Sequence, residues 1–262
     1  MKRSLSRADT GMARSTRQKW ILMVVLACSI ALAPDASAQQ SDSMHWSITP
    51  YLWAPTTTID LGVRGTSIAS GEITFDDLLN ALDAAFMIHI EGGKGNWTGF
   101  ADMTYLDTSH SNQRQVLKIK TDSQQSFLDF AAVYWPAGVG TQFNVFGGVR
   151  YTGFEDEFRF YGPAGNLLER IKSTEDYYDA LIGARYRFDL SERWKLMTHG
   201  DFSFGESEGT FLLRANFAYI VGERRQNRIL LGYQYKEANF KDGDLGKDFV
   251  YHGPMAGFNF RF

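Results

Sequence analysis

Beyond residue 40 this chain repeats one pattern: segments of about ten residues in which large apolar side chains alternate with glycines, charges and small polar groups. In "QFNVFGGVRY", Phe143, Val145, Gly147, Val149 and Tyr151 share one side, and Asn144, Phe146, Gly148 and Arg150 share the other. "TFLLRANFAYIV" sets Phe211, Leu213, Ala215, Phe217, Tyr219 and Val221 against Leu212, Arg214, Asn216 and Ala218. "YDALIGARYRF" and "NRILLGYQYK" repeat the design. A period of two belongs to a β-strand, whose successive side chains point to opposite faces. No segment past the leader offers the roughly 18 to 20 unbroken apolar residues of a membrane-spanning helix. A soluble sandwich also alternates, with its apolar side buried. Here the second face mixes glycine, charge and a few large residues, which suits the cramped interior of a small barrel whose apolar face meets lipid.

The connections come in two kinds. "GGKGN", "PAGVGT", "DLSER" and "GERRQN" are short, whereas 56–82, 108–113, 162–166, 206–209 and 241–248 tend to be longer and more polar. The two kinds alternate along the chain, as short periplasmic turns and outer loops do in membrane barrels. The expected fold is therefore all-β: a closed antiparallel up-and-down transmembrane β-barrel of about ten strands. Eight or twelve strands also fit, chiefly because 57–71 could add a hairpin. "FDDLLNAL" (75–82) is the one helix-like stretch, with Phe75, Leu78, Leu79 and Leu82 on one face and Asp76 and Asp77 in the first turn. It is expected to cap the first outer loop. Pro50 and Pro254 lie in the first and last strands, where each removes a ladder donor and is expected to loosen or bulge the closure.

The other end of the chain reads as an export signal. A basic start precedes an apolar run of 13 residues, 21–33, too short to cross a bilayer as a helix. Ala36-Ser37-Ala38 fits the small-x-small pattern of a signal-peptidase site, so 1–38 is expected to be a cleaved signal peptide, with Met12 as an alternative start, and 39–262 a single barrel domain. The only cysteine, Cys28, sits inside the apolar run, which excludes disulfides and thiol chemistry from 39–262. The chain carries 27 Lys/Arg and 30 Asp/Glu, and six of the bases but only two of the acids precede residue 39. The remainder is clearly acidic, which argues against nucleic acid as a partner.

Trp46, Trp97, Trp135 and Trp194 fall beside the first strand's start or a short turn. With Tyr134, Tyr186, Phe188 and Tyr219 they are expected to ring one membrane interface, where amphipathic rings are favoured. Tyr51, Trp53, Tyr105, Tyr177, Phe202, Phe211 and Tyr235, nearer the long loops, are expected to ring the other.

The export signal, the alternation, the turn-side tryptophans and the closing "FNFRF" together resemble the small outer-membrane β-barrels of Gram-negative bacteria, of OmpA- or OmpW-like architecture. "ITPYLWAP", "FDDLLNALDAAF" and "WTGFADMTYLD" are similar to uncharacterised barrels of that kind. The resemblance implies an architecture and an outer-membrane location reached through the periplasm, with membrane lipid as neighbour, but no activity. It also implies that Phe258, Phe260 and Phe262 are read by the barrel-assembly machinery.

Chemistry is thinly represented. The five histidines are scattered; His89 with Glu91 and His199 with Asp201 are same-face pairs at spacing two, more in keeping with lumen hydrogen bonding than with a metal site. Ser109-His110 are adjacent and so point apart on a strand, Ser203 lies near His199, and no G-x-S-x-G elbow is present. Neither an enzyme nor a cofactor is expected. Extending the alternation places Glu91, Asp102, Asp129, Asp179 and Asp201 inside the barrel with Arg150, Arg185, Arg187, Lys195, Arg214, Lys236 and Arg261. Buried charges must pair, so a cross-linked interior is expected, with Asp102, Asp129, Arg150, Asp179, Arg185, Asp201 and Arg214 as its charge ladder. Ten strands leave little more room than side chains fill. The expected function is a narrow or gated pore for small solutes or ions, the slight basic excess favouring anions. The alternative is a non-conducting structural or interaction barrel that binds a partner or lipid surface through its outer loops. An outer-leaflet lipid-modifying enzyme comes third.

Overall fold

The alternating segments form twelve strands, with one short helix between the third and fourth. They are β1 (His45–Trp53), β2 (Thr56–Val63), β3 (Thr66–Ile73), α1 (Phe75–Ala81), β4 (Leu82–Lys94), β5 (Trp97–Arg114) and β6 (Leu117–Tyr134). There follow β7 (Phe143–Tyr161), β8 (Leu167–Asp189), β9 (Trp194–Gly205), β10 (Gly209–Val221), β11 (Asn227–Asp242) and β12 (Leu245–Arg261). This computed structural model describes residues 43–63, 66–114, 117–162, 165–222 and 226–262, and the side chains among them except 110–119, 242 and 245. The expected signal peptide, with Met12, Cys28, Ala36 and Ala38, lies outside the described residues, as does the side chain of His110.

Every pairing is antiparallel, and β4 to β12 follow one another in chain order. β1 pairs with β4 on one side and β12 on the other, so ten strands close a barrel. β2 and β3 are two further strands laid beside the outer half of β12. The hairpin in 57–71 that left ten and twelve both open in the sequence is thus real, but stands outside the closed ring.

The seam is more continuous than its prolines suggest. β1 runs Ser47↔Arg261 to Trp53↔Met255 against β12, and β2 resumes at Thr56↔His252 in the same register. The ladder skips Thr49-Pro50 and Ala54-Pro55 without inserting a residue, so the closure is interrupted but not bulged. At the second gap Ala54 donates its backbone N–H to the Pro254 carbonyl at 3.0 Å. A Cβ on Gly253 would strike the Ala54 carbonyl, so only glycine allows this approach.

Strands of 18, 19 and 23 residues (β6, β7 and β8) far exceed the roughly 9–11 needed to cross a bilayer. The surplus lies at the long-loop end. The polar stretches 108–113 and 241–248, expected as loops, are largely paired strand, as at Ser109↔Asp122 and Lys241↔Gly246. Their polarity marked contact with water rather than irregular backbone. The helix is also one residue shorter than expected, because Leu82 opens β4 and sits partly buried against the apolar interior. α1 begins with a capping box: Thr74 Oγ1 accepts from the Asp77 N–H at 3.2 Å, and the Asp77 carboxylate accepts from the Thr74 N–H at 3.2 Å.

Outward side chains are the apolar ones. Phe130, Val149, Tyr178, Ile182, Phe217 and Leu231 are 49% to 62% exposed, while their strand neighbours Asp129, Arg150, Asp179, Leu181, Asn216 and Leu230 turn inward. A ring of ten strands with no free edge and an apolar exterior meets both requirements for standing in hydrocarbon. The chain is an outer-membrane type of β-barrel.

Candidate functional site

The barrel interior has three levels. At the short-turn end lies a polar vestibule, a cavity of about 180 Å³ lined among others by Arg185, Arg187, Arg214, Arg228, Arg261 and Glu91. At mid-height the lumen is crossed by charged networks. Toward the long hairpins it is filled by apolar side chains.

Two networks span the middle. In the first, Arg150 of β7, only 1% exposed, grips Asp129 of β6 with two parallel bonds of 2.7 Å, Nε to Oδ1 and Nη2 to Oδ2. This fork-on-carboxylate geometry is the strongest available to an arginine. Its Nη1 lies 3.0 Å from Asp201 Oδ1 of β9, an ion pair whose angle falls outside hydrogen-bond geometry. Asp201 Oδ2 in turn meets His199 Nε2 at 2.7 Å.

The second network starts at Arg185, whose Nη1 and Nη2 reach the two Glu91 oxygens at 2.8 and 3.2 Å. Thr98 donates to Glu91 at 2.6 Å, and His89 lies between Glu91 (3.5 Å) and Asp102 (3.0 Å). Asp102 accepts from the Tyr51 hydroxyl at 2.7 Å and lies 3.8 Å from Arg214, whose Nε donates to Gln234 at 2.6 Å. The Arg185 guanidinium also lies over the rings of Phe100, Phe146 and Trp135, which belong to the lower apolar cluster.

The structure thus joins six of the seven ladder residues: Asp129, Arg150 and Asp201 in one network, Asp102, Arg185 and Arg214 in the other. Asp179 departs. It faces Arg150 in the β7–β8 ladder but is buried with no basic side chain within ion-pair distance among the described residues, accepting instead from Ser203 Oγ (3.1 Å), Ser207 Oγ (2.5 Å) and Ser207 N (3.0 Å). It pins the β9–β10 turn. Lys236, 4% exposed, has no carboxylate within ion-pair distance among the described residues, and its ammonium sits 3.5 Å from the Phe127 ring centroid. Arg187 and Lys195 both pair with Asp189 at the vestibule mouth, at 3.0 and 3.2 Å.

Above the networks, Trp53, Phe127, Phe154, Tyr177, Phe240 and Tyr251 pack ring against ring, with Tyr177 and Phe240 centroids 4.5 Å apart. Tyr51, Trp53 and Tyr177 were expected at an outer membrane interface; their position on the inward side of their strands puts them in the lumen instead. Phe202 does face outward, 44% exposed. At the short-turn end Trp97 packs on Tyr134 and Trp194 on Tyr219, exposed, and Trp46 covers Gly92. Trp135 is not with them. It turns inward, donates Nε1–H to Thr98 Oγ1 at 3.0 Å and lines the vestibule. The Phe258 and Phe260 rings meet at a tilt, centroids 4.5 Å apart, and Phe262 exchanges backbone hydrogen bonds with the half-exposed Trp46.

The other candidate chemistries lose their geometry. Ser203 donates to Asp179 while His199 holds Asp201, so the two do not pair. Among the described residues no group of three or more His, Cys, Asp or Glu is placed to hold a metal ion. Sequence reasoning missed Tyr51, Gln234 and the aromatic filling; strand parity was the signal that could have found them.

No protein-family model matches the chain, and no curated protein matches its sequence. Among solved structures it is similar to Ail, the attachment invasion locus protein of Yersinia pestis, at 9% identity and a TM-score of 0.39 over 83% of this chain and 99% of that one. It is likewise similar to the outer membrane protease OmpT of Escherichia coli, at 8% identity and a TM-score of 0.39 over 87% and 99%. A third is the Ralstonia pickettii toluene transporter TbuX, at 8% identity and a TM-score of 0.33 over 85% and 90%.

Proposed function

We propose that this protein is a gated outer-membrane barrel for small solutes or ions, held closed at rest by its own interior. The observation that carries the reading is the order of the levels along the lumen. An open polar vestibule leads to hydrogen-bonded charges, and these end beneath a packed apolar filling. A barrel needed only as a scaffold gains nothing from an open vestibule lined by charge, whereas a passage needs an entrance and a stop. In planar bilayers the wild-type protein is expected to give rare, small openings. Replacing Phe127 and Phe240 together by alanine should make them frequent, and Arg214→Ala should change their ion selectivity. Silence of wild type and double variant at every voltage would refute the passage.

A second reading has its own support. Ile68, Leu79, Leu167, Leu168 and Ile171 are exposed on the structures that project beyond the membrane. Apolar groups in water at the tips of rigid hairpins suit contact with a partner or lipid surface. Since β2 pairs with the outer half of β12, deleting 57–81 would strip that strand of its partner; serines at Leu167, Leu168 and Ile171 test this reading without that cost.

A further inference from the structure

We propose that the vestibule holds a binding site for a small multivalent oxyanion of the phosphate class, formed by Arg187, Arg228 and Arg261. Three strands bring these guanidiniums to one cavity. Arg228 and Arg261 lie on the neighbouring strands β11 and β12, where Arg228 faces Asn259, two residues before Arg261 and on its side of the strand. Arg228 then reaches over β10 to place Nη1 3.9 Å from Met197 Sδ on β9, and Met197 is the ladder partner of Arg187 on β8. All three line the same cavity and stand within electrostatic reach of one another.

Among the described residues the carboxylates near them are already engaged: Asp189 is shared by Arg187 and Lys195, and Glu91, the one carboxylate of the described residues that line the vestibule, is held by Arg185. Neither Arg228 nor Arg261 forms an ion pair among the described residues, and Arg228 Nε is buried without a hydrogen-bond partner. Elsewhere in this lumen a buried arginine has a carboxylate against its fork, as Arg150 and Arg185 do. Crowding unpaired cations costs stability, which a bound anion with several oxygens would return by accepting from more than one fork at once. The space suffices: about 180 Å³ is several times the roughly 30 Å³ share of one water, enough for a tetrahedral oxyanion with part of its hydration. The site stands whether or not the lumen conducts.

The test is calorimetric titration of inorganic phosphate into the refolded protein in detergent micelles, at ionic strength held constant with chloride. Saturable binding is expected, weakened about tenfold in Arg228→Gln and in Arg261→Gln. Arg170→Gln, on an outer hairpin, should leave it unchanged. Acetate, with one charge and two oxygens, should bind more weakly. A second measurement guards against misfolding. Without phosphate, the Arg228→Gln/Arg261→Gln double variant should resist urea at least as well as wild type, and only wild type should gain resistance when phosphate is added. Absent saturation, phosphate binding untouched in the double variant, acetate binding as tightly as phosphate, or an equal gain in urea resistance would each overturn the proposal.

Discussion

Arg150 remains charged at 1% exposure because two carboxylates, from strands on either side, share its guanidinium. Removing one member of such a set strands the others in a poorly hydrated interior. Arg150→Ala is therefore expected to cost about 3–5 kcal/mol in urea unfolding, whereas changing all three together, to Asp129→Asn, Arg150→Met and Asp201→Asn, should recover most of it. Lys236 is the contrasting residue. It is as deeply buried, but holds an aromatic ring instead of a carboxylate, so Lys236→Met leaves no partner orphaned and should be neutral or stabilising in the same assay. Strand parity was enough to assign Asp129, Arg150 and Asp201 to the inside from sequence. It could not say which acid meets which base, since pairs such as Arg150 with Asp201 and Arg185 with Glu91 join strands that are not neighbours. Asp179, opposite Arg150 in the ladder yet bound to Ser207, shows how local turn geometry can outcompete an adjacent charge.

The outer hairpins are elements with electrostatics of their own. On β7, Glu157 faces Asp122 of β6 and Lys172 of β8, and it accepts bonds from Arg170 (2.7 Å) and ion-pairs with Lys172 (3.1 Å) and Arg159 (3.0 Å). Arg159 also engages Asp122. The hydrogen bond from Arg170 holds the Glu157 carboxyl below its ordinary range. A depressed folded-state value means that this support is present above the unfolded pKa and fades as pH falls through it. Protection factors at 155–160 and 168–173, with the intrinsic pH dependence of amide exchange divided out, should therefore fall as the pH drops below roughly 4, where an ordinary glutamate takes up its proton, while the membrane-embedded parts of β7 and β8 stay protected. α1 offers a simpler trial: Thr74→Ala removes the side-chain half of the capping box, leaving only the bond from the residue-74 N–H to the Asp77 carboxylate, and should fray the helix at a cost of about 1 kcal/mol, without moving the global unfolding midpoint. These elements were the less legible part of the sequence. Period-two alternation is fixed locally and reads well in the wall, but polar hairpins beyond the bilayer alternate weakly. Aromatics such as Trp53 and Tyr177 resemble interface residues until their parity is counted.

For the molecule as a whole, the decisive division is between the face that meets lipid and the face that closes on itself. An arginine at Val149, outward on β7 beside the mid-height Arg150, should destabilise the folded barrel in vesicles by about 2–4 kcal/mol, the penalty for a guanidinium near the bilayer midplane. The same change at the exposed Ser173, on the outer part of β8, should have little effect. Equal effects at the two positions would mean that the apolar exterior does not contact hydrocarbon. The undivided register of β1 and β2 along β12 carries a further consequence, in time rather than in space. Thr49 and Asn259 are 210 residues apart when they bond, so the edge of the first strand must wait, unmatched, for nearly all the rest of the chain to arrive. Docking of the last strand is then a single late event that finishes two jobs together, sealing the cylinder in the bilayer and anchoring the hairpin that rises above it.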